Sequence, residues 1–269
     1  MNEESIEVLI STMDRTNASF LDEMNLKTKA IVINQNQKKN NVERIRNKDN
    51  DYLWINSRER GLSKSRNLAL ENATADICLI ADDDMKYNDD YVNKVIEAYK
   101  KYPEADIIAF QVKRTGHPER TKKFRKKLNW EGYITSMKIS SVEITFKRSS
   151  IVSNQIYFNP NIGAGTEFSN GEENSFLYDA LRNKLKILYL PIEIAEVDMS
   201  KSSWFEGYTQ KYFETVGAKF YNMTSKYYKL LIFQFVIRKY NQYKNNASMY
   251  KAYRYMIQGV NKYKEKHED

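Results

Sequence analysis

A chain of 269 residues with 41% apolar content can bury a sizeable core and fits one large α/β domain, with or without an appendage. Its single cysteine, Cys78, excludes an internal disulfide and has no Cys or His neighbour for a zinc site, so nothing calls for an oxidising compartment. The net charge of +8 is unevenly placed: residues 1–198 carry 30 Lys/Arg against 30 Asp/Glu, whereas residues 199–269 carry 13 against 5, which points to a tail with an anionic partner.

The acidic start Met1-Asn2-Glu3-Glu4-Ser5 lacks the features of a signal peptide, and no window holds the roughly 18 apolar residues that span a bilayer. The expected location is cytoplasmic, peripheral at most on the inner face of the cell membrane. In chain order, Ile6–Ile10 reads as a strand, Ser11–Asn17 as a loop and Ser19–Met24 as a short helix. Ala30–Ile33 and Tyr52–Ile55 are further strands, and Ser63–Asn72 suits a helix. Ile77–Ala81, with Cys78 as a small core residue, is a strand. A helix follows from about Asp89 to Tyr102, stopped by Pro103, and then the strand Asp106–Phe110. The basic stretch Lys113–Lys127, with His117-Pro118, reads as a mobile surface loop. Val142–Phe146 resumes strand character, Asn159–Gly171 is a Gly-containing loop, and Glu172–Asn183 is a helix. Lys186–Leu190 makes a last strand before Pro191. Beyond Ser200 the composition turns to Tyr, Lys and Asn and reads as helices.

Apolar strands alternating with helices indicate a mainly parallel sheet covered on both faces, with ligands bound beyond the C-terminal strand ends. Three segments stand there. Asp82-Asp83-Asp84 ends the strand Ile77–Ala81. Such a triplet alone reads as a solvated acidic turn, but at a strand end its hard oxygens suit Mg²⁺ or Mn²⁺ bridging nucleotide phosphates. Arg60-Gly61-Leu62-Ser63-Lys64-Ser65-Arg66-Asn67 offers a tight turn, Ser63 as a helix cap, and Lys64 and Arg66 toward phosphate. Gly163-Ala164-Gly165, followed by Gly171-Glu172-Glu173, puts two carboxylates at a helix start. That arrangement satisfies the helix dipole, and it also suits a general base.

Taken in order, these segments, together with Val8-Leu9-Ile10-Ser11-Thr12 and Ile33-Asn34-Gln35, resemble a family 2 glycosyltransferase over roughly residues 5–200. The relatives in question have the GT-A fold and serve bacterial surface or capsular polysaccharide pathways. The resemblance implies a Rossmann-like, mostly parallel central sheet with helices on both faces, plus a C-terminal helical appendage. Residues 1–110 become the nucleotide-sugar half of the GT-A domain, 111–200 the acceptor and catalytic-base half, and 201–269 a basic aromatic-rich helical tail. It implies an inverting, metal-dependent hexosyl transfer from a nucleotide-sugar, often a UDP-sugar, to a hydroxyl of a saccharide acceptor, with lipid-linked acceptors a further expectation. Asp84 would ligate the Mn²⁺ or Mg²⁺, and Asp82 would contact the ribose or the metal. Asp83 counts among the donor-binding residues. Ser11 and Thr12 would line the base pocket with Asn34 or Gln35, and Arg66 and Lys64 would face the donor phosphates. Glu173 is the candidate base and Glu172 its neighbour. Many relatives carry a metal-assisting His after the last strand; here the region reads Ala195-Glu196-Val197-Asp198-Met199, leaving Asp198 as a substitute. Neither His117 nor His267 is expected to be a ligand.

Tyr227–Ile237 is the most apolar stretch of the tail, flanked by Lys226 and Arg238-Lys239. It suits a helix at a bilayer interface drawn to anionic lipids, and equally a core helix packed on the domain. No nucleic-acid-binding fold is visible. Two other classes compete. A nucleotidyltransferase would place a Gly-rich loop after the first strand, where this chain has the Gly-free Ser11–Asn17. A non-catalytic membrane- or partner-binding protein would need neither the triplet nor the Glu pair.

Overall fold

The computed structural model describes residues 4–47, 50–116, 122–200 and 207–268. The elements run β1 (Ile6–Met13), α1 (Phe20–Glu23), β2 (Lys29–Gln35), β3 (Asn41–Asn47), β4 (Asn50–Ser57), α2 (Leu62–Asn72), β5 (Ile77–Asp82) and β6 (Met85–Tyr87). They continue with α3 (Tyr91–Lys101), β7 (Ile107–Thr115), β8 (Asn129–Glu131), α4 (Tyr133–Ser136), β9 (Ile144–Lys147), α5 (Arg148–Ser153), α6 (Glu172–Arg182) and β10 (Ile187–Asp198). The chain closes with α7 (Gln210–Met223), α8 (Tyr228–Arg238), α9 (Tyr240–Tyr243) and α10 (Met249–His267).

One sheet takes the order β3-β4-β2-β1-β5-β9-β7-β10-β6, with β8 also on β10. The strands β4, β2, β1 and β5 are parallel, as expected, and so are β7 and β10. Elsewhere the sheet is antiparallel: β9 opposes both its neighbours, and β3, β6 and β8 oppose theirs, so the whole is mixed. Alternate residues feed two cores. Val8, Val32 and Leu79 face the side covered by α1 and α3, and Leu9, Ile31, Ile33, Cys78 and Ile80 face the side covered by α2, α5 and α6. This double burial explains why the strands read as unbroken apolar runs.

Several local expectations shift. The first strand extends through Ser11 and Thr12 to Met13. Edge strand β3 is mostly polar and exposed on the side chains described, which hides it from hydrophobic patterning. β10 runs on past Pro191, an exposed residue at a register shift between Tyr189 and Glu193, where no ladder N–H is required. Pro103 does end α3, since Tyr102 leaves helical geometry at ψ 66°. The stretch read as a mobile loop starts on β7, and its described C-terminal part is anchored: Lys122 pairs with buried Glu143 and Arg125 with buried Glu131. His117 lies outside the described residues.

The C-terminal helices build a third core from Phe213, Phe220, Ile232, Phe235, Tyr243, Met256 and Tyr263. That core also takes in Ile162, Phe168 and Tyr178, which docks the helices against α6 and its preceding loop. α8 packs one part of its apolar surface into this core and leaves another part exposed. Leu231, Ile232, Phe235 and Val236 pack inward, while Leu230, Phe233 and Ile237 remain exposed by 64, 57 and 51%. Among the described residues no helix is long and apolar enough to cross a membrane.

Candidate active site

Register brings the sequence motifs together. Ser11 on β1 lies opposite both Ile33 and Asp82, Thr12 opposite Asn34, and Met13 opposite Gln35. The C-terminal ends of β1, β2 and β5 therefore share one edge, where parallel strands present ligand sites. A cleft of about 640 Å³ opens there, lined by Ser11, Thr12, Gln35, all three aspartates, Glu172 and Glu173.

The three aspartates are not equivalent. Asp82 ends β5, and its Oδ1 accepts from Arg66 Nη2 at 3.2 Å. Burial raises its pKa while the Arg66 charge opposes that. Asp83 accepts from the Thr12 hydroxyl at 2.5 Å and from Arg15 Nε at 2.8 Å, so its carboxylate ties the turn to the end of β1. Asp84 projects at the exposed mouth. Partial desolvation of its carboxylate, then the charges of Asp82, Asp83 and Asp198, push its pKa up to about 6.

Gly171 at φ 103° delivers the chain into α6, whose first two residues are Glu172 and Glu173. Glu172 is 2% exposed and accepts from Arg66 Nη1 at 2.9 Å. Burial, and then the charge of Glu173, raise its pKa. Its second oxygen and Arg66 Nε are buried without a partner among the described residues. Glu173 lines the cleft with no hydrogen bond or ion pair among the described residues. Arg66, with 1% of its side chain exposed, thus bridges the end of β5 and the start of α6 over the ring of Phe158. The glycine-rich loop lies against this bridge. A Cβ on Gly163 would sit 3.1 Å from Glu172 Oε2 and from Ser63 Oγ, and the residue holds φ 113°, so glycine is required on both counts.

Several expected residues lie elsewhere. Asn34 is fully buried and sits behind the cleft, bonded to the Arg15 backbone and to Asn56 Oδ1. Gln35 reaches the cleft, and its Oε1 accepts from Gly61 N at 2.8 Å. Ser63 does not cap α2: Gly61 takes that position, and the Ser63 hydroxyl donates to the Ile162 carbonyl at 2.5 Å. Lys64 is not among the cleft-lining residues and lies 3.8 Å from Glu59, and Arg66 faces the carboxylates of Asp82 and Glu172. Asp198 stands near Asp84, with its carboxylate accepting from the Ser200 N–H and hydroxyl. His267 sits at the end of α10 against Tyr263. Among the described residues no group of three or more His, Cys, Asp or Glu has metal-holding geometry.

Sequence reading missed Arg15, Arg60, Arg114, Ser140, Ser141 and Asn170. Arg60 lines the cleft and pairs with Asp14 at 2.8 Å. Arg15 and Asp14 follow β1, so the strand-end rule that singled out Ser11 and Thr12 extends to them.

None of the curated protein sequences matches the chain. Solved structures do match. S. aureus TarS 1–349 in complex with UDP superposes with a TM-score of 0.62 at 13% identity, covering 95% of this chain and 81% of that one. The same protein in complex with UDP-GlcNAc gives 0.61 at 13% identity, covering 96% and 80%. Full S. aureus TarS gives 0.61 at 14% identity, covering 95% of this chain and 49% of that one. At such identities the likeness speaks for the fold, a GT-A domain with C-terminal helices. The family model for glycosyl transferase family 2 matches residues 2–159, more than half of the chain, and the chain belongs to that family.

Proposed function

We propose that this glycosyltransferase moves a sugar from a UDP-sugar to a saccharide hydroxyl with inversion, in surface polysaccharide synthesis. The observation that carries the reading is that Asp82, Asp83, Asp84 and Glu173 line one cleft at the C-terminal ends of the parallel strands. Ser11, Thr12 and Gln35 at the strand ends form the nucleoside side, in keeping with the UDP and UDP-GlcNAc complexes of the structural neighbour.

The residues present fit a divalent cation of the nucleotide-bridging kind. Mg²⁺ in such sites uses one or two carboxylates and completes its shell with phosphates and water, so a three-residue cage is not needed. Asp84, whose pKa is raised by desolvation and then by the charges of Asp82, Asp83 and Asp198, would hold the ion, with Asp82 beside it. Bound there, Mn²⁺ or Mg²⁺ supplies charge neutralisation for the departing diphosphate. Arg66 keeps Asp82 and Glu172 in place. Glu173 takes the proton from the acceptor hydroxyl as its oxygen bonds to the anomeric carbon. The bond from that carbon to the diphosphate breaks, and its electron pair leaves with UDP. Glu in place of the family's usual Asp keeps this chemistry with a longer arm.

The acceptor is read as a lipid-linked saccharide and the membrane surface as a partner of the tail. Support comes from the exposed stripe Leu230, Phe233 and Ile237 on α8 and from residues 215–264, which hold ten Lys/Arg and no Asp/Glu.

The test is turnover of a panel of nucleotide-sugars with and without Mn²⁺, run beside Glu173→Gln. The expected result is metal-stimulated UDP release by the native chain. Transfer should fall by about 10²–10⁴-fold in Glu173→Gln, with UDP-sugar binding retained. Absence of binding and turnover across the panel would sink the reading.

A further inference from the structure

Beside the transfer cleft lies a second cavity of about 400 Å³ whose lining is strongly cationic. Arg114, Lys122, Lys123, Arg125 and Lys138 contribute to it, and Glu143 is the one carboxylate among its described lining residues. Arg114 and Ser140 line both this cavity and the cleft, so the two adjoin. The wall is built rather than incidental. Buried Glu143 grips Lys122 at 2.5 and 2.6 Å, and buried Glu131 pairs with Arg125, whose guanidinium stacks over the Tyr189 ring at 4.2 Å. The Arg125 carbonyl accepts from the Tyr189 hydroxyl at 3.0 Å and from Gln111 Nε2 at 3.2 Å, which holds the basic segment against β7 and β10.

With those two cations spoken for, Arg114, Lys123 and Lys138 have no carboxylate partner among the described residues. Arg114 Nη2 donates only to a neutral group, the Ser140 hydroxyl, at 2.8 Å. A half-buried guanidinium with donors to spare, between an anchored lysine and two exposed ones, matches the planar, bidentate recognition of phosphate oxygens. Burial lowers the pKa of Lys122, and although Glu143 opposes this, Arg114 and Arg125 depress it further; a bound anion would relieve that crowding. Neutral sugar hydroxyls would give such a cluster no counter-charge.

We infer that this cavity binds a phosphate group carried by the acceptor, so that the enzyme selects an anionic, phosphate-bearing saccharide over a neutral one. The inference rests on the glycosyl-transfer reading above and names the acceptor class for the same site. The phosphate could belong to the saccharide or to its link with a lipid carrier, and the chemistry recognised is the same.

Calorimetric titration of the full chain tests it. UDP is added first, then glucose 6-phosphate, glucose, or glucosyl phosphate esterified with an octyl chain. The UDP-loaded protein is expected to bind both phosphates and not glucose. Affinity for them should drop at least ten-fold in a Lys123→Gln, Lys138→Gln variant, whose exposed positions leave folding and UDP affinity unchanged. Arg114→Gln, which keeps a donor for Ser140, should lose as much. Tighter binding of the octyl ester assigns the phosphate to a lipid linkage, and tighter binding of glucose 6-phosphate to the saccharide. Equal binding of glucose and its phosphate, or native affinity in the lysine variant, overturns the inference. So does an Arg114→Gln protein that loses UDP and keeps the sugar phosphate, since Arg114 would then serve the donor. Failure of the native chain to bind UDP at all would remove the underlying reading instead.

Discussion

Asp84 titrates in the opposite sense from a stabilising surface carboxylate. In the unfolded chain an aspartate has a pKa of about 3.9, and here the folded value is about 6. The folded state therefore binds the proton more tightly, and the stability this contributes is present in acid and lost as the pH rises from about 4 through 6. In metal-free buffer, Asp84→Asn should raise Tm at about pH 7.5 and make no difference near pH 4, as read by thermal melts. Mn²⁺ should stabilise the native chain above about pH 6 and do little at pH 5, where protons compete for the same oxygens. A melt of Asp84→Asn that matches native at both pH values would remove the charge-crowding account. Arg66 presents the reverse case. Arg66→Met would leave Asp82 and Glu172 without their counter-charge and should cost about 3–5 kcal/mol in denaturant unfolding. The acidic triplet and Glu173 were legible in the sequence because a strand end and a helix start are local features. That Arg66 would join them was not, since its partners lie 16 and 106 residues away and its position beside Lys64 suggested phosphate instead.

At the level of elements, α7 and α10 approach each other closely at two glycines. A Cβ on Gly217 would fall 2.0 Å from the Met256 carbonyl oxygen, and one on Gly259 would fall 2.0 Å from that of Glu214. The two backbones touch, so Gly217→Ala or Gly259→Ala must push the helices apart. A loss of roughly 1–3 kcal/mol is expected from overpacking, measurable as a lowered denaturation midpoint. An unchanged midpoint would mean the crossing is looser than its geometry states. The elements that were readable, β1, β2, β4, β5, β7, β9, α2, α3 and α6, are those buried on one face or both, where periodicity reports burial. Those missed, β3 and β6, are edge strands, and three-residue β8 joins them; such strands form on a partner's open ladder and need no apolar pattern of their own. β10 was cut short at Pro191 because a proline normally ends a ladder, and here the ladder steps around it.

Across the whole molecule, charge and apolar exposure coincide on the C-terminal helices. Leu230, Phe233 and Ile237 stand clear of the core, with Lys229 and Arg238 on either side of the stripe, inside a span of ten cations and no anions. Each basic residue near an anionic membrane is worth about 1 kcal/mol, and the attraction is screened within a Debye length. The chain should therefore sediment with phosphatidylserine-containing vesicles at low salt and dissociate as salt rises, while phosphatidylcholine vesicles retain little. Phe233→Ser with Leu230→Ser should weaken the residual, salt-resistant part without altering the thermal midpoint, because neither side chain reaches the core. Retention of that part in the double variant would shift the contact to another face.

The Arg66 bridge bears on when the site is organised. Its two carboxylates come from the central sheet and from the helix that carries Glu173; Arg66 and Glu172 are buried, and Asp82 is partly so. The entropy of fixing these walls relative to each other is therefore spent during folding, before a donor arrives. Little of the nucleotide's binding free energy would then go into assembling the catalytic geometry, and a rigid donor analogue should meet a template already cast. The same economy has a cost for redesign. A change at Asp82 is felt at the start of α6 through one guanidinium, so variants at the two ends will not combine additively.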